Sequence, residues 1–251
     1  MHSFDDFQAI VTADEPLAPH TWFRLGGPAS FLARPRDVAD VVGLIRRCRE
    51  SDVPFRVLGG GSNVLVRDEG FAGLEVLTGI PGTVGGALRG NSGGRQGAIG
   101  TFVRRATVVD DSGEVLVREQ EDLRFDYRSS DLDEPIILSA RFELEQEDPE
   151  AVVRRMRRIW IIKKENQPYG HQSSGCIFKN PAPEISAGTL IERAGLKGQR
   201  IGGAEVPDRH ANFIIAQPGA KAADVLALID LIRQKVHQQF GHDLELQIKI
   251  W

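Results

Sequence analysis

The sequence predicts a mixed α/β chain, α+β in organisation and built in two parts, on three observations. Apolar runs of period two and of period 3.6 both recur along its 251 residues. Near the middle, Asp148 followed by Pro149 reads as an N-cap with proline at the first helical position. Glycine is crowded, with fourteen of the 27 lying between Gly59 and Gly100. At roughly 100–200 residues per domain, two domains are the better prior, and the cap sets the expected boundary between residues 1–147 and 148–251.

The elements follow in order. Residues 1–19 show no strong period and end in Pro16 and Pro19, so an arm or short helix is expected. Residues 31–35 form a strand. Residues 37–50 place Val38, Val41, Val42, Ile45 and Cys48 at helical spacing, which makes Cys48 a buried thiol on the apolar stripe. Short strands are expected at 54–58 and 64–66 around a GGGSN turn. Residues 103–117 read as a hairpin about Asp111, Ser112 and Gly113, and residues 136–144 alternate with Ile136, Leu138, Ala140, Phe142 and Leu144 on one face. The helix opened at Asp148 runs to about Glu165. A short helix ends at Gly195, a long one spans 222–240 with Gly241 as its C-cap, and a strand over 243–250 closes the chain.

Composition excludes several classes. Thirty-one basic against 35 acidic residues give a net charge of −4 with both signs interspersed, so no global field attracts nucleic acid or anionic lipid. Cys48 and Cys176 are far apart and no CxxC or Cys/His cluster accompanies them, which argues against a disulfide framework and a structural zinc site. His210 has no neighbour at ligand spacing, and no metal is expected. The N-terminus is acidic, and no run approaches the roughly 18 apolar residues of a membrane span. The expectation is a soluble cytoplasmic protein.

LGGGSN, residues 58–63, follows an expected strand, and its glycines can turn several N–H groups toward one point, a nest for an anion such as a diphosphate. A tight turn between two strands is the alternative. It is not GxGxxG and no helix pattern opens directly after it, so a Rossmann site is not indicated. The second loop, GIPGTVGGALRGNSGG at 79–94, shifts the balance: two glycine-rich loops in one small region suit backbone lying against a large, flat, phosphate-bearing ligand.

HTWFRLGGPA, LGGGSNVLVRDEGF, GIPGTVGGA, FDYRSS, SSGCIFKNP, IERAGLKGQRIGGAEV and HANFII stand in the order seen in UDP-N-acetylenolpyruvoylglucosamine reductases, and over about residues 20–250 the chain resembles this MurB family. The resemblance implies an FAD-binding part of the vanillyl-alcohol-oxidase type and a smaller C-terminal substrate-binding domain whose last strand can return to the FAD part. It implies NADPH reduction of FAD and then reduction of the enolpyruvyl group to the lactyl ether of UDP-N-acetylmuramate, for peptidoglycan synthesis. On that likeness Gly59, Gly60, Gly61, Ser62 and Asn63 hold the FAD diphosphate, Gly79, Pro81, Gly82, Thr83, Gly85 and Gly86 lie along the cofactor, and Asn91 helps to complete its wall. Tyr127, Lys179, Asn180 and Arg200 fall in the region that embraces the UDP-sugar, with His210 and Asn212 nearby. A monomer is expected.

Hydride addition to the enolpyruvyl methylene leaves negative charge at the adjacent carbon and its carboxylate, so the site needs a cation and a proton source. Arg128 matches the family arginine that steadies the enolate, and a guanidinium can grip a carboxylate through two bonds. Cys176 matches the proton donor, and a thiol with a reference pKa of about 8.5 is mostly protonated at neutral pH. The third position departs from the pattern. The chain closes in LELQIKI, so Gln247 stands where the family carries a catalytic glutamate, while Glu245 is about 6.6 Å away along a strand. An amide can donate a hydrogen bond to an enolate but cannot transfer a proton.

A segment is also missing by this comparison. Phe71, Ala72 and Gly73 run straight into Leu74, where the family interposes several elements, so an internal deletion near Gly73 is inferred and the FAD part is expected to be truncated. The two glycine loops are then separated only by residues 64–78, and the supporting sheet exposes edges. The alternative to an active enzyme is a family member that has lost catalysis and only binds.

Overall fold

The computed structural model describes residues 4–58, 71–72, 74–94 and 97–250. The expected diphosphate cradle at Gly59, Gly60, Gly61, Ser62 and Asn63 and the strand at 64–66 lie outside the described residues. Along the chain the elements are β1 (Val11–Pro16), β2 (Pro28–Ala33), α1 (Val38–Glu50), β3 (Phe71–Ala72), α2 (Val84–Arg89), β4 (Gly93–Gly94), β5 (Gly97–Ala98), β6 (Val103–Val109) and β7 (Val115–Glu119). They continue with β8 (Phe125–Asp126), β9 (Ser129–Ser130), β10 (Ile136–Phe142), β11 (Glu145–Gln146), α3 (Pro149–Asn166), α4 (Ala187–Arg193), β12 (Arg200–Ile201), β13 (Ala204–Glu205), β14 (Ile215–Ala216) and α5 (Ala222–Phe240). Two compact units emerge, one of Met1–Ala13 with Phe31–Ile162, the other of Asp14–Ser30 with Lys163–Trp251.

In the first unit the hairpin β6–β7 forms as its alternation predicts, and β10 adds to the other edge of β6 to give an antiparallel sheet in the order β10-β6-β7. The middle strand is the most buried: Val103, Ala106, Val108 and Val109 are all closed to solvent, and the first three meet Leu88 of α2, Ile99 and Leu132. A register shift between Ile137 and Ser139 bends β10 where α2 packs on it. Helix α1 begins at Asp37, whose side chain accepts the Asp40 N–H at 2.8 Å, and buries Leu44, Ile45 and Cys48. Burial pushes the Cys48 thiol up, as expected of an inert core cysteine.

Helix α3 begins at Pro149, after Asp148, as the cap predicts. Arg155 ties it down: the guanidinium grips the buried Glu75 carboxylate (Nε–Oε1 2.9 Å) and Glu147 (Nη1–Oε1 2.6 Å). Its solvent side leaves Met156, Trp160, Ile161 and Ile162 exposed.

The second unit is built on α5, which buries Val225, Leu228, Ile229, Ile232 and Val236 at helical spacing and ends at Gly241 in the left-handed region (φ 69°). Asp224 in its first turn accepts the Lys221 and Gly203 N–H groups, each at 3.0 Å, which fixes the helix start to the β12–β13 turn and holds the carboxyl below its usual range. Leu190, Ile191, Ile177, Phe178 and Leu244 complete this core.

Three expectations are corrected. Residues 1–19 contain β1, paired with β2, as well as short 3₁₀ turns. Residues 54–58 are not a strand: among the described residues no ladder partner lies beside them, and Phe55, Val57 and Leu58 are exposed. The closing strand over 243–250 shrinks to one antiparallel bridge, Leu246 with Phe178. Its partner segment is straight only briefly, because Gly175 turns at φ 88° on one side and Pro181, without an N–H, ends pairing on the other.

Candidate active site

In the second unit the expected proton donor, Cys176, sits in a short segment held from both sides. On one side the closing segment pairs with it: Lys179 donates its N–H to the Glu245 carbonyl at 2.8 Å and Gln247 donates its N–H to the Ile177 carbonyl at 2.8 Å. In this register the Phe178 N–H and C=O point the other way. Asn212 takes both, its Oδ1 accepting from Phe178 N at 3.0 Å and its Nδ2 donating to Phe178 O at 2.9 Å, while its own carbonyl accepts the Ile177 N–H. One asparagine thus does the work of a third strand. Asn212 is 4% exposed, so its side chain supports the loop rather than meeting a sugar.

The register brings Gln247 across from Ile177, next to Cys176 in sequence, and carries Glu245 away from it. Glu245 accepts from Lys179 Nζ at 2.6 Å, at the far end of the same short pairing. The carboxylate that could have replaced the expected glutamate is therefore occupied elsewhere. Cys176 is half-buried and in no disulfide. Ser173, in the same segment, is 8% exposed and its hydroxyl has no hydrogen-bond partner among the described residues.

The other expected sugar contacts already hold protein partners. Asn180 Oδ1 accepts the Ala187 N–H at 3.1 Å, supporting the start of α4. Arg200 pairs with Glu205 at 2.8 Å directly across the β12–β13 ladder, and Lys197 with Glu192 at 2.6 Å. His210 Nδ1 accepts the Asn212 N–H at 3.2 Å, and burial pushes the imidazole below its ordinary value, so it is held neutral. Among the described residues no group of His, Cys, Asp and Glu is arranged to hold a metal ion.

In the first unit Tyr127 and Arg128 form the two-residue tip of the β8–β9 hairpin. Arg128 takes φ 55°, the left-handed region that costs a side-chain-bearing residue about 1 kcal/mol or more. Its guanidinium lies over the Tyr127 ring, 5.4 Å from the centroid, and its buried Nε has no acceptor among the described residues. A guanidinium with an unpaired buried donor suits an anionic ligand.

The crowded glycines from Gly79 to Gly100 divide by cause. Gly100 is required by the protein itself, since a Cβ there would overlap the Phe125 ring, and one at Gly93 would overlap the Gly97 carbonyl. Thr83 caps α2 by accepting the Gly86 N–H at 3.1 Å, and Gly85 backs onto Ile137. Gly82 is different: it takes φ 120° and a Cβ would meet no atom of the described residues within 4 Å, as at Gly94. Bare backbone of this kind at Gly82 and Gly94 fits a flat group such as FAD. Gly79 is left-handed at φ 72°.

The family profile "UDP-N-acetylenolpyruvoylglucosamine reductase, C-terminal domain" matches residues 167–251, and the profile "FAD binding domain" matches residues 64–118. The reductase of that name from Heliobacterium modesticaldum is 38% identical, aligned over 98% of this chain and 92% of its own length. The one from Syntrophobacter fumaroxidans is 41% identical over 94% of this chain and 82% of its own. The crystal structure of the Thermus caldophilus reductase superposes with a TM-score of 0.77 at 31% identity, covering 96% of this chain and 98% of that one. The Heliobacterium alignment spans 288 positions against 251 residues here, so at least 37 positions have no counterpart in this chain. Among the described residues no helix is long and apolar enough to cross a membrane. The chain belongs to the family of UDP-N-acetylenolpyruvoylglucosamine reductases, FAD-dependent oxidoreductases of peptidoglycan precursor synthesis.

Proposed function

We propose that this chain reduces the enolpyruvyl ether of UDP-N-acetylenolpyruvoylglucosamine to the lactyl ether of UDP-N-acetylmuramate, with NADPH as the source of electrons. The observation that carries this reading is the pairing that sets Gln247 against the Cys176 segment, in a unit whose family profile covers residues 167–251. FAD, when bound, would supply the hydride; Gly79, Gly82 and Gly94 would lie along it, and Gly59, Gly60, Gly61, Ser62 and Asn63 would hold its diphosphate. The protein supplies placement, charge and a proton.

Arg128 holds the substrate carboxylate and the negative charge that develops beside it. Removing such a donor costs roughly 10²–10³ in turnover, about 2.7–4 kcal/mol. Cys176 Sγ gives its proton to the carbon next to the carboxylate, and the resulting thiolate takes one back from solvent after product leaves. Gln247 donates an amide hydrogen bond to the enolate but no proton. Tyr127, Lys179, Asn180 and Arg200 are assigned to the UDP-sugar, where Lys179 and Arg200 would exchange Glu245 and Glu205 for diphosphate oxygens.

The test is NADPH consumption that depends on UDP-N-acetylenolpyruvoylglucosamine, together with the visible spectrum of the purified protein. A yellow flavin band and substrate-dependent oxidation support the reading. The second reading, a protein that binds without turnover, is favoured by Gln247 and by the unmatched alignment positions. It predicts saturable UDP-sugar binding and no oxidation even with excess FAD.

A further inference from the structure

We propose that Asn91 is a positioning residue for Arg128, fixing the hairpin tip that presents the guanidinium, rather than part of the cofactor wall. This rests on Arg128 being the residue that holds the substrate carboxylate. Three observations point to it. The Asn91 side chain is buried at 9% exposure and spans two segments, its Nδ2 donating to the Asp126 carbonyl at 2.8 Å and its Oδ1 accepting the Gly100 N–H at 3.0 Å. Asp126 is the last residue of β8, immediately before the tip, and its own carboxylate accepts the Tyr127 N–H at 2.6 Å. Asn91 itself takes φ 41°, so the chain accepts a left-handed backbone there to aim this amide.

The tip needs such support. A two-stranded hairpin with two residues per strand is not stable by itself in water. This one also carries the unfavourable φ of Arg128, which persists only where surrounding contacts over-determine it. Other restraints among the described residues include the β9 side, where Ser130 Oγ donates to the Arg89 carbonyl at 3.1 Å, and Phe125, whose ring fills the space above Gly100. Asn91 is thus the amide that joins the glycine loop to the arginine turn, and Gly100 supplies both a hydrogen-bond partner and room for Phe125. With its amide spent on protein groups and closed to solvent, Asn91 acts on chemistry only through the placement of Arg128.

The informative variant is Asn91→Gly, which keeps the left-handed backbone and deletes both bonds. The expected result is a fall in kcat of about 10–100-fold, the scale of a displacement near 1 Å, with KM for the UDP-sugar changing less and FAD affinity unchanged. In an Arg128→Ala background the same change has no further effect on kcat. Equal losses in both backgrounds, or a loss confined to FAD affinity, would overturn the proposal. Full turnover in Arg128→Ala alone would instead refute the role given to Arg128. A readout independent of activity uses 15N-arginine labelling: the Nε–H resonance missing in Arg128→Lys is assigned to Arg128. Its heteronuclear NOE drops in Asn91→Gly if the proposal holds, and stays at the wild-type value if it does not.

Discussion

Replacing Asn212 by alanine isolates the clamp on the Cys176 segment. The substitution removes the bonds to the Phe178 N–H and C=O, at 3.0 and 2.9 Å, and leaves both groups buried, because the closing segment bonds only to Ile177 and Lys179. A buried backbone group left without a partner costs about 1–3 kcal/mol, so the two together cost about 2–6 kcal/mol. That is a large share of the roughly 5–15 kcal/mol that holds a domain folded. The assay is urea unfolding paired with hydrogen exchange of the Phe178 amide, which should lose protection while the α5 core amides keep theirs relative to the new global stability. A loss below about 1 kcal/mol, with Phe178 still protected, would refute the argument. Asn212→Asp adds a signed control: the protonated carboxyl can both donate to Phe178 O and accept from Phe178 N, whereas the carboxylate repels the carbonyl. Its folded pKa is therefore raised, and the variant should be more stable at low pH and weaken as pH rises through that raised value.

Three other outcomes follow from the same geometry. Gln247→Glu restores an acid opposite Ile177 and should raise substrate-dependent NADPH oxidation at least tenfold, toward the roughly 10²–10⁴ of a placed proton donor; an unchanged rate would remove Gln247 as a cause of slow turnover. His210 is held neutral by burial, so its folded pKa lies below the ordinary 6.5 or so, and the unfolded chain binds the extra proton. Stability should therefore decline as pH falls below about 6.5, and less steeply in His210→Gln, as measured by urea midpoints; parallel slopes would contradict the assignment. Ser173→Ala removes a buried hydroxyl without a partner among the described residues and should be neutral or stabilising by up to about 1 kcal/mol, whereas a loss of more than that would show that the hydroxyl is satisfied in solution.

The regular elements were legible because their signals are local. The buried Ile45 and Cys48 of α1, the β6–β7 hairpin, the start of α3 at Pro149 and the length of α5 up to Gly241 all follow from period, cap and turn residues within a few positions, although Val38 at the head of the α1 stripe is exposed. Motif order was equally legible, and it identified the family before any coordinates. What failed was pairing. Residues 54–58 and 243–250 have strand composition, but a strand exists only where another backbone offers a ladder, and that is decided by residues far away in sequence.

The division is sharpest in the site. By itself the sequence determined which residue types are present: an arginine in FDYRSS, a thiol in SSGCIFKNP, a glutamine in LELQIKI, and glycine in two crowded loops. Only the tertiary structure decided what each is free to do. It occupied Glu245 with Lys179, turned Asn212 into a surrogate strand, and separated Gly100, which makes room for Phe125, from Gly82, where a Cβ would meet none of the described residues. It also set Arg128 on a left-handed turn tied to Asn91 through Asp126. A side chain's chemistry is written in its residue type, but its availability depends on which distant backbone groups claim its hydrogen bonds on folding, and that is a property of the fold.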